Sequence, residues 1–234
     1  MTTALEKTII ALDYPNLDSV MEFVESFDYT KDASPKYVKV GMELYYAVGS
    51  GIITYLKNKN LKVFLDLKVH DIPNTAFGAI RSLAHLGADI LNVHAAGGES
   101  MMQKAKEALE GFDTKLIAVT ILTSLDKEAL NTELNIEGTV QDTVIKYAQS
   151  AYNAGLDGVV SSPLEAQMIK DKVNKDFITV CPGIRFADSN VQDQKRIASP
   201  DWAFANGCDY IVMGRAITQA KDPAQSLELL LKTQ

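Results

Sequence analysis

The sequence predicts an α/β chain closed into a (β/α)8 barrel, a TIM barrel, on three observations. Eight short runs of aliphatic and β-branched residues recur along the chain. Segments with helical spacing lie between them, so strand and helix alternate throughout. Spread over eight units, 234 residues give roughly 29 each, close to a lean βα repeat.

The first run, Thr8 to Leu12, ends at Asp13, and the second, Tyr37 to Val40, carries Lys39 between two valines. Leu44, Val48, Ile52 and Leu56 then recur at helical spacing. The third run, Lys62 to Leu65, leads into Asp66-Leu67-Lys68-Val69-His70-Asp71. A helix follows with Ile72, Ala76, Ile80, Leu83 and Ala84 on one face; Pro73 suits its first turn, and Asp71 or a neighbour is placed to cap its free N–H groups. The remaining runs are Ile90 to Val93, Leu116 to Val119, Gly158 to Val160, Phe177 to Val180 and Tyr210 to Met213, with a helix through Val140, Val144, Ala148 and Ala151 between the fifth and sixth. Each run is apolar on both faces, as in a parallel strand covered by helices, and each connection is long enough for a crossover. An open doubly wound sheet is the alternative, but neither G-x-G-x-x-G nor G-x-x-x-x-G-K-[ST] occurs. No Ser/Gly/Pro-rich linker divides the chain, so residues 1–234 read as one barrel domain.

Composition narrows the function classes. An apolar fraction of 47% with 23% charged residues argues against disorder and coiled coil. No apolar run reaches membrane-helix length and the N-terminus lacks the features of a cleavable signal, so a cytoplasmic protein that does not enter membranes is expected. A net charge of −7 works against nucleic-acid binding and leaves room only for a local cationic pocket holding a small anion. The two cysteines, Cys181 and Cys208, have no metal or redox spacing and read as reduced thiols.

In such barrels chemistry collects at the carboxyl ends of the strands. Asp13, Lys39, Asp66 and Lys68 all fall there. Alternation along a strand makes Asp66 and Lys68 project together, with Lys39 and Asp13 entering from neighbouring strand ends so that opposite charges alternate across one pocket. Singly, each is as readily a strand-end cap or a solvated ion pair; together, two lysines inside apolar strand sequence point to a site, because a lysine buried without a partner is strongly disfavoured. A second cluster follows the last two strands: Pro182-Gly183-Ile184-Arg185, Gln194 in a polar segment, and Gly214-Arg215. Loops there form the recurrent phosphate site of the barrel, with glycine admitting backbone N–H groups and arginine gripping oxygens in a fork. Turn geometry and surface ion pairing are the competing readings, and Gln194 is the least marked of the set. His70, His85 and His94 do not form a spaced metal cluster; His85 reads as structural and His94 as packed or hydrogen-bonded, and no metal is assigned. No G-x-S-x-G elbow with usable partners appears, which disfavours nucleophilic hydrolysis.

The segment Asp66-Leu67-Lys68-Val69-His70-Asp71-Ile72-Pro73-Asn74-Thr75 resembles the D-x-K-x-x-D-I-x-x-T signature of the orotidine 5′-phosphate decarboxylase family. Ala11-Leu12-Asp13, Val38-Lys39-Val40-Gly41, Leu122-Thr123-Ser124, Pro182-Gly183-Ile184-Arg185, Gln194 and Gly214-Arg215 resemble that family's segments in the same order, along the whole chain. Cys181 departs from the threonine common before that turn. The resemblance implies decarboxylation of orotidine 5′-monophosphate to UMP without metal or organic cofactor. It implies Lys68 as proton donor, Asp66 beside the substrate carboxylate, Asp13 and Lys39 near the ribose, Thr123 near the pyrimidine, and Arg185, Gln194, Gly214 and Arg215 around the phosphate. It also implies a homodimer in which Asp71 and Thr75 act in the neighbouring subunit's site. The D-x-K-x-x-D core alone also resembles the metal-dependent sugar-phosphate branch of the same superfamily, which is the closest rival. A silent phosphonucleotide-binding module would need the phosphate loops but neither Asp66 nor Lys68.

Overall fold

Side chains alternate inward and outward along each strand, and the apolar core divides accordingly. Ile9, Tyr37, Phe64, Ile90, Ile117, Val180 and Val212 fill the barrel interior. Their neighbours Ile10, Val38, Leu65, Leu91, Leu116 and Ile211 point the other way, into the layer between barrel and helices. Apolarity on both faces of a run, the feature that predicted parallel strands, is used on both faces here.

The computed structural model describes residues 3–186 and 198–233. Its strands are β1 (Thr8–Ala11), β2 (Tyr37–Gly41), β3 (Lys62–Val69), β4 (Ile90–His94), β5 (Lys115–Val119), β6 (Gly158–Val160), β7 (Ile178–Cys181) and β8 (Tyr210–Met213). They pair in parallel in chain order, and β8 returns to β1 to close the barrel. The predicted fold class is the observed one.

Two local expectations change. The helical pattern from Leu44 to Leu56 is two helices, Met42–Val48 and Gly51–Asn58, broken at Gly49, whose φ of 74° lies outside the helical region. Ile72 does not join the buried face of the next helix; it is that helix's N-cap and is 68% exposed, while Ala76, Ile80 and Ala84 are buried.

A clamp at the amino-terminal end of the barrel recurs three times. Asp89, Asp157 and Asp209 each stand immediately before an even-numbered strand, β4, β6 or β8. Each carboxylate accepts the backbone N–H of the second residue of the preceding strand, Val63 at 2.8 Å, Leu116 at 2.7 Å and Thr179 at 2.8 Å. Each also takes a lysine ammonium from the helix ahead of that strand, Lys57 at 2.7 Å, Lys106 at 2.6 Å and Lys170 at 2.5 Å. One side chain thus ties a helix, a strand and the next strand together at each position. The sequence carries this as a Gly-x-Asp repeat at Gly87, Gly155 and Gly207, each glycine with positive φ where the chain turns from helix to strand. That internal repeat is a legible signal the sequence reading passed over.

Candidate active site

Lys39 stands two residues beyond Tyr37, Asp66 two beyond Phe64 and Asn92 two beyond Ile90. All three therefore continue the inward rows of β2, β3 and β4, and form a polar layer above the apolar filling of the barrel.

Opposite charges alternate through this layer. Lys39 Nζ lies 3.0 Å from Asp13 Oδ1 and 3.4 Å from Asp66 Oδ2, and Lys68 Nζ lies 2.7 Å from Asp66 Oδ1. Lys39 and Asp66 are the desolvated centre, with side chains 11% and 12% exposed, whereas Asp13 is the wet end at 57%. Burial alone would raise the Asp66 carboxyl, but Lys39 and Lys68, with hydrogen bonds from Lys68 and Asn92, outweigh it and hold it below the ordinary aspartate range. Burial likewise works to lower Lys39, and Asp66 and Asp13 outweigh it, raising the ammonium above its usual value. Removing one member of such a network leaves an uncompensated buried charge, a loss of about 3–5 kcal/mol in comparable buried pairs.

Asp66 and Lys68 meet on one side, as alternation predicts, but the strand between them is not regular. Leu65 pairs with Leu91 and Val69 with Val93, so β3 advances four residues while β4 advances two. Lys68 sits in this bulge with φ +52°, the left-handed region. Asn92 fills the gap in the ladder: its Oδ1 accepts the Lys68 N–H at 2.8 Å, and its Nδ2 donates to Asp66 Oδ1 at 2.7 Å. In the sequence Asn92 lies inside an apolar run, and its one signal is a single amide among Ile90, Leu91 and Val93. Gly41 enters the sequence analysis only as the end of the Val38-Lys39-Val40-Gly41 segment, with no role of its own. A Cβ there would stand 3.0 Å from Lys39 Nζ and 3.1 Å from Asp13 Oδ1, so its lack of a side chain is the room in which that ion pair forms.

Two cavities meet at this layer. One, of about 180 Å³, is lined by Lys39, Asp66 and Lys68 and by apolar groups including Phe64, Val119 and Ile121; Thr123 is also in its lining. The second, of about 770 Å³, is lined by Asp13, Lys39, Gly183, Arg185, Gly214 and Arg215. Lys39, Pro182 and Val212 line both, so the two form one continuous depression at the carboxyl ends of the strands. Gly183 has φ +82°, where a side chain would be strained, and its carbonyl accepts the Ala198 N–H at 3.2 Å while the Arg185 N–H donates to Ala198 at 3.0 Å. The turn that fixes Arg185 is thus held by backbone pairing. Gln194 lies outside the described residues.

Asp71 and Thr75 are placed apart from both cavities. Asp71 is exposed and accepts the N–H of Ile72 at 2.7 Å, and Thr75 is exposed on the first turn of the helix Pro73–Ala84. The expected side-chain cap of that helix is not formed: its N-cap is Ile72, and proline at the first position removes one donor that would need it. The His85 Nδ1–H donates to the Arg81 carbonyl, 2.7 Å away, and its ring packs edge-on against Phe112; the half-buried His94 stacks on His70 and accepts the Ala96 N–H. His94 is packed as expected, whereas His85 keeps these structural contacts while exposed. Cys181 and Cys208 are free and buried; burial and the Cys208 thiol push the Cys181 thiol well up, away from nucleophilic use.

Chemically, the smaller cavity offers a mainly apolar lining with two ammonium groups and a carboxylate in it, and the larger offers two arginines and a glycine turn for an oxyanion. Residues 6–230 match the model of the orotidine 5′-phosphate decarboxylase / HUMPS family. The chain is 51% identical over 217 residues to the orotidine 5′-phosphate decarboxylase of Streptococcus pneumoniae (strain ATCC 700669 / Spain 23F-1), covering 93% of this chain and 91% of that one. It is 50% identical over 220 residues to the enzyme of the same name from Streptococcus suis (strain 05ZYH33), covering 94% of each. Among solved structures, the orotidine 5′-phosphate decarboxylase of Lactobacillus acidophilus superposes with a TM-score of 0.85 at 37% identity over 97% of both chains. The chain belongs to the orotidine 5′-phosphate decarboxylase / HUMPS family, as an enzyme of the orotidine 5′-phosphate decarboxylase type.

Proposed function

We propose that this enzyme converts orotidine 5′-monophosphate to UMP and carbon dioxide, the last step of de novo pyrimidine synthesis, without metal or organic cofactor and with Lys68 as the proton donor to C6. The observation that carries this is the 2.7 Å pair of Lys68 Nζ with Asp66 Oδ1 in the lining of the smaller, mainly apolar cavity. The names borne by the relatives supply the substrate.

When the C6–carboxylate bond breaks, its electron pair stays on C6 and carbon dioxide leaves. A fixed ammonium beside C6 stabilises that charge and then transfers its proton to C6, after which the Lys68 amine regains a proton from solvent. Asp66 holds Lys68 at one oxygen and is held by Lys39 at the other, so the cation is in place before the charge forms. Thr123 faces the pyrimidine, Asp13 and Lys39 the ribose, and Arg185, Gln194, Gly214 and Arg215 the phosphate. The phosphate is remote from the bond that breaks, and its grip supplies binding energy for ordering the array.

The functional unit we propose is one barrel domain per chain, residues 1–234, paired as a cytoplasmic homodimer with shared sites. Asp71 and Thr75 are exposed and line neither cavity of their own chain, and they lie beside the exposed apolar Ile72 and Phe77. They would complete the partner's site. Among the described residues no helix is long and apolar enough to cross a membrane.

The test follows the ultraviolet absorbance of orotidine 5′-monophosphate in excess EDTA, with Lys68→Ala beside the wild type. Conversion to the UMP spectrum by the wild type alone is the expected result. No turnover in EDTA, with turnover of a sugar phosphate restored by magnesium, would move the enzyme to the metal-dependent branch.

A further inference from the structure

Asn92 is 1% exposed and lines neither cavity. Yet it joins the two residues on which the proposed chemistry depends. Its carbonyl oxygen accepts the backbone N–H of Lys68, and its amide nitrogen donates to Asp66 Oδ1, the same oxygen that receives the Lys68 ammonium. It stands opposite the bulge, where β4 supplies one residue between Leu91 and Val93 against three of β3, and a ladder partner for the Lys68 N–H is missing. A lysine in the left-handed region costs about 1–3 kcal/mol and persists only where its surroundings over-determine it. Within 3 Å, the side chain that does so is Asn92.

We propose that Asn92 is a positioning residue of this enzyme: it locks the Lys68 backbone in its left-handed conformation and the Asp66 carboxylate in its rotamer, and thereby sets where the Lys68 ammonium points. An amide is the side chain that fits, since one end must accept from an N–H and the other must donate to a carboxylate 2.7 Å away. A carboxylate would repel Asp66, and an apolar group would leave both partners unsatisfied in a buried place. The inference rests on Lys68 as the proton donor in the reading above.

Two variants test it, each assayed for turnover, for UMP affinity and for far-UV circular dichroism. Asn92→Leu removes both contacts; kcat falls about 100-fold, the size expected from losing hydrogen bonds to a charged group. UMP affinity stays within about threefold, since the phosphate cavity does not touch Asn92. Asn92→Asp keeps the shape. Facing it is the Asp66 carboxylate, paired with Lys68 and Lys39; two residues on along β4 stands His94, stacked on His70, and the ladder partner on β5 is the apolar Ile117. Its own carboxyl, once protonated, restores an acceptor and a donor, so its kcat rises as pH falls from 8 to 5 where the wild type's does not. A kcat for Asn92→Leu within threefold of wild type would overturn the proposal, as would a loss of UMP affinity in step with kcat, which is what a merely structural residue gives. If Asn92→Leu does not fold, the Asp variant decides: a pH profile parallel to wild type overturns the proposal. Failure of the underlying reading shows separately, as a wild type that does not turn over orotidine 5′-monophosphate or a Lys68→Ala enzyme that does.

Discussion

Lys39 and Asp66 face each other 3.4 Å apart, nearly out of water, and their opposite shifts give the array a defined pH window. Asp66 is held below its unfolded value of about 3.9, so its contribution is full above that pH and is lost as pH falls through the lower folded value. Lys39 is raised above about 10.4, so its contribution is full below that pH and is lost as pH rises through the higher folded value. In urea unfolding, Asp66→Asn is expected to be clearly less stable than wild type at pH 7, with the gap narrowing below about pH 4. An unchanged gap at pH 3 would remove the ionised carboxylate as its source. Gly41 makes the second prediction at this scale. A methyl at Gly41 meets Lys39 Nζ and Asp13 Oδ1, the flexible ends of side chains, so the fold should tolerate it while the ion pair shifts. Gly41→Ala should therefore melt within a few degrees of wild type yet lose about tenfold or more in kcat/KM; equal activity would show that the Lys39 to Asp13 pair has slack.

The barrel divides labour between the two ends of its strands. At the amino-terminal ends the Asp89, Asp157 and Asp209 clamps hold helix to strand; at the carboxyl ends the charges that would stabilise chemistry are gathered. β3 shows the second use most clearly. Its apolar run ends at Leu65 and the strand runs on to Val69, so Asp66 and Lys68 belong to the strand itself, as their alternation predicts, and are fixed by its pairing with β4. A clamp can be removed without touching that end. Asp157→Ala leaves the Leu116 N–H and the Lys106 ammonium without their shared acceptor and should lower stability by about 2 kcal/mol, discounted for the partial exposure of both side chains. The kcat of Asp157→Ala should match wild type at 25 °C. A large loss of activity without loss of stability would mean the two ends of the strand are coupled.

For the whole molecule, closure of the barrel brings residues from both ends of the chain, Asp13 and Arg215, into the lining of one cavity. Closure leaves Asp71 and Thr75 outside it, exposed at the start of one helix. If they complete a partner's site, mixing Asp71→Ala with Lys68→Ala protein should regenerate activity from two inactive parents, with up to one intact site per heterodimer. Confirmed subunit exchange with no recovered turnover would confine Asp71 to its own chain.

Strand number, parallel order and the gathering of Asp13, Lys39, Asp66 and Lys68 at strand ends were legible in the sequence. Period-two alternation and two-sided apolarity are local properties that call for a parallel sheet covered on both faces, and eight such runs without a glycine-rich nucleotide turn favour its closure into a barrel. The arginine and glycine cluster after the last two strands was legible for the same reason, since the topology assigns those loops a place. Asn92, Gly41 and the bulge at Lys68 were not. Each matters only through what stands opposite it: one amide bridging a gap between two strands, one missing Cβ beside an ion pair from two other segments, and a left-handed lysine whose cost is met by a residue on the next strand. The sequence determined which chemistry was available and at which end of the barrel. Only the tertiary structure decided how that chemistry is aimed, because register between strands is set by packing across the whole barrel rather than by residues in any one run.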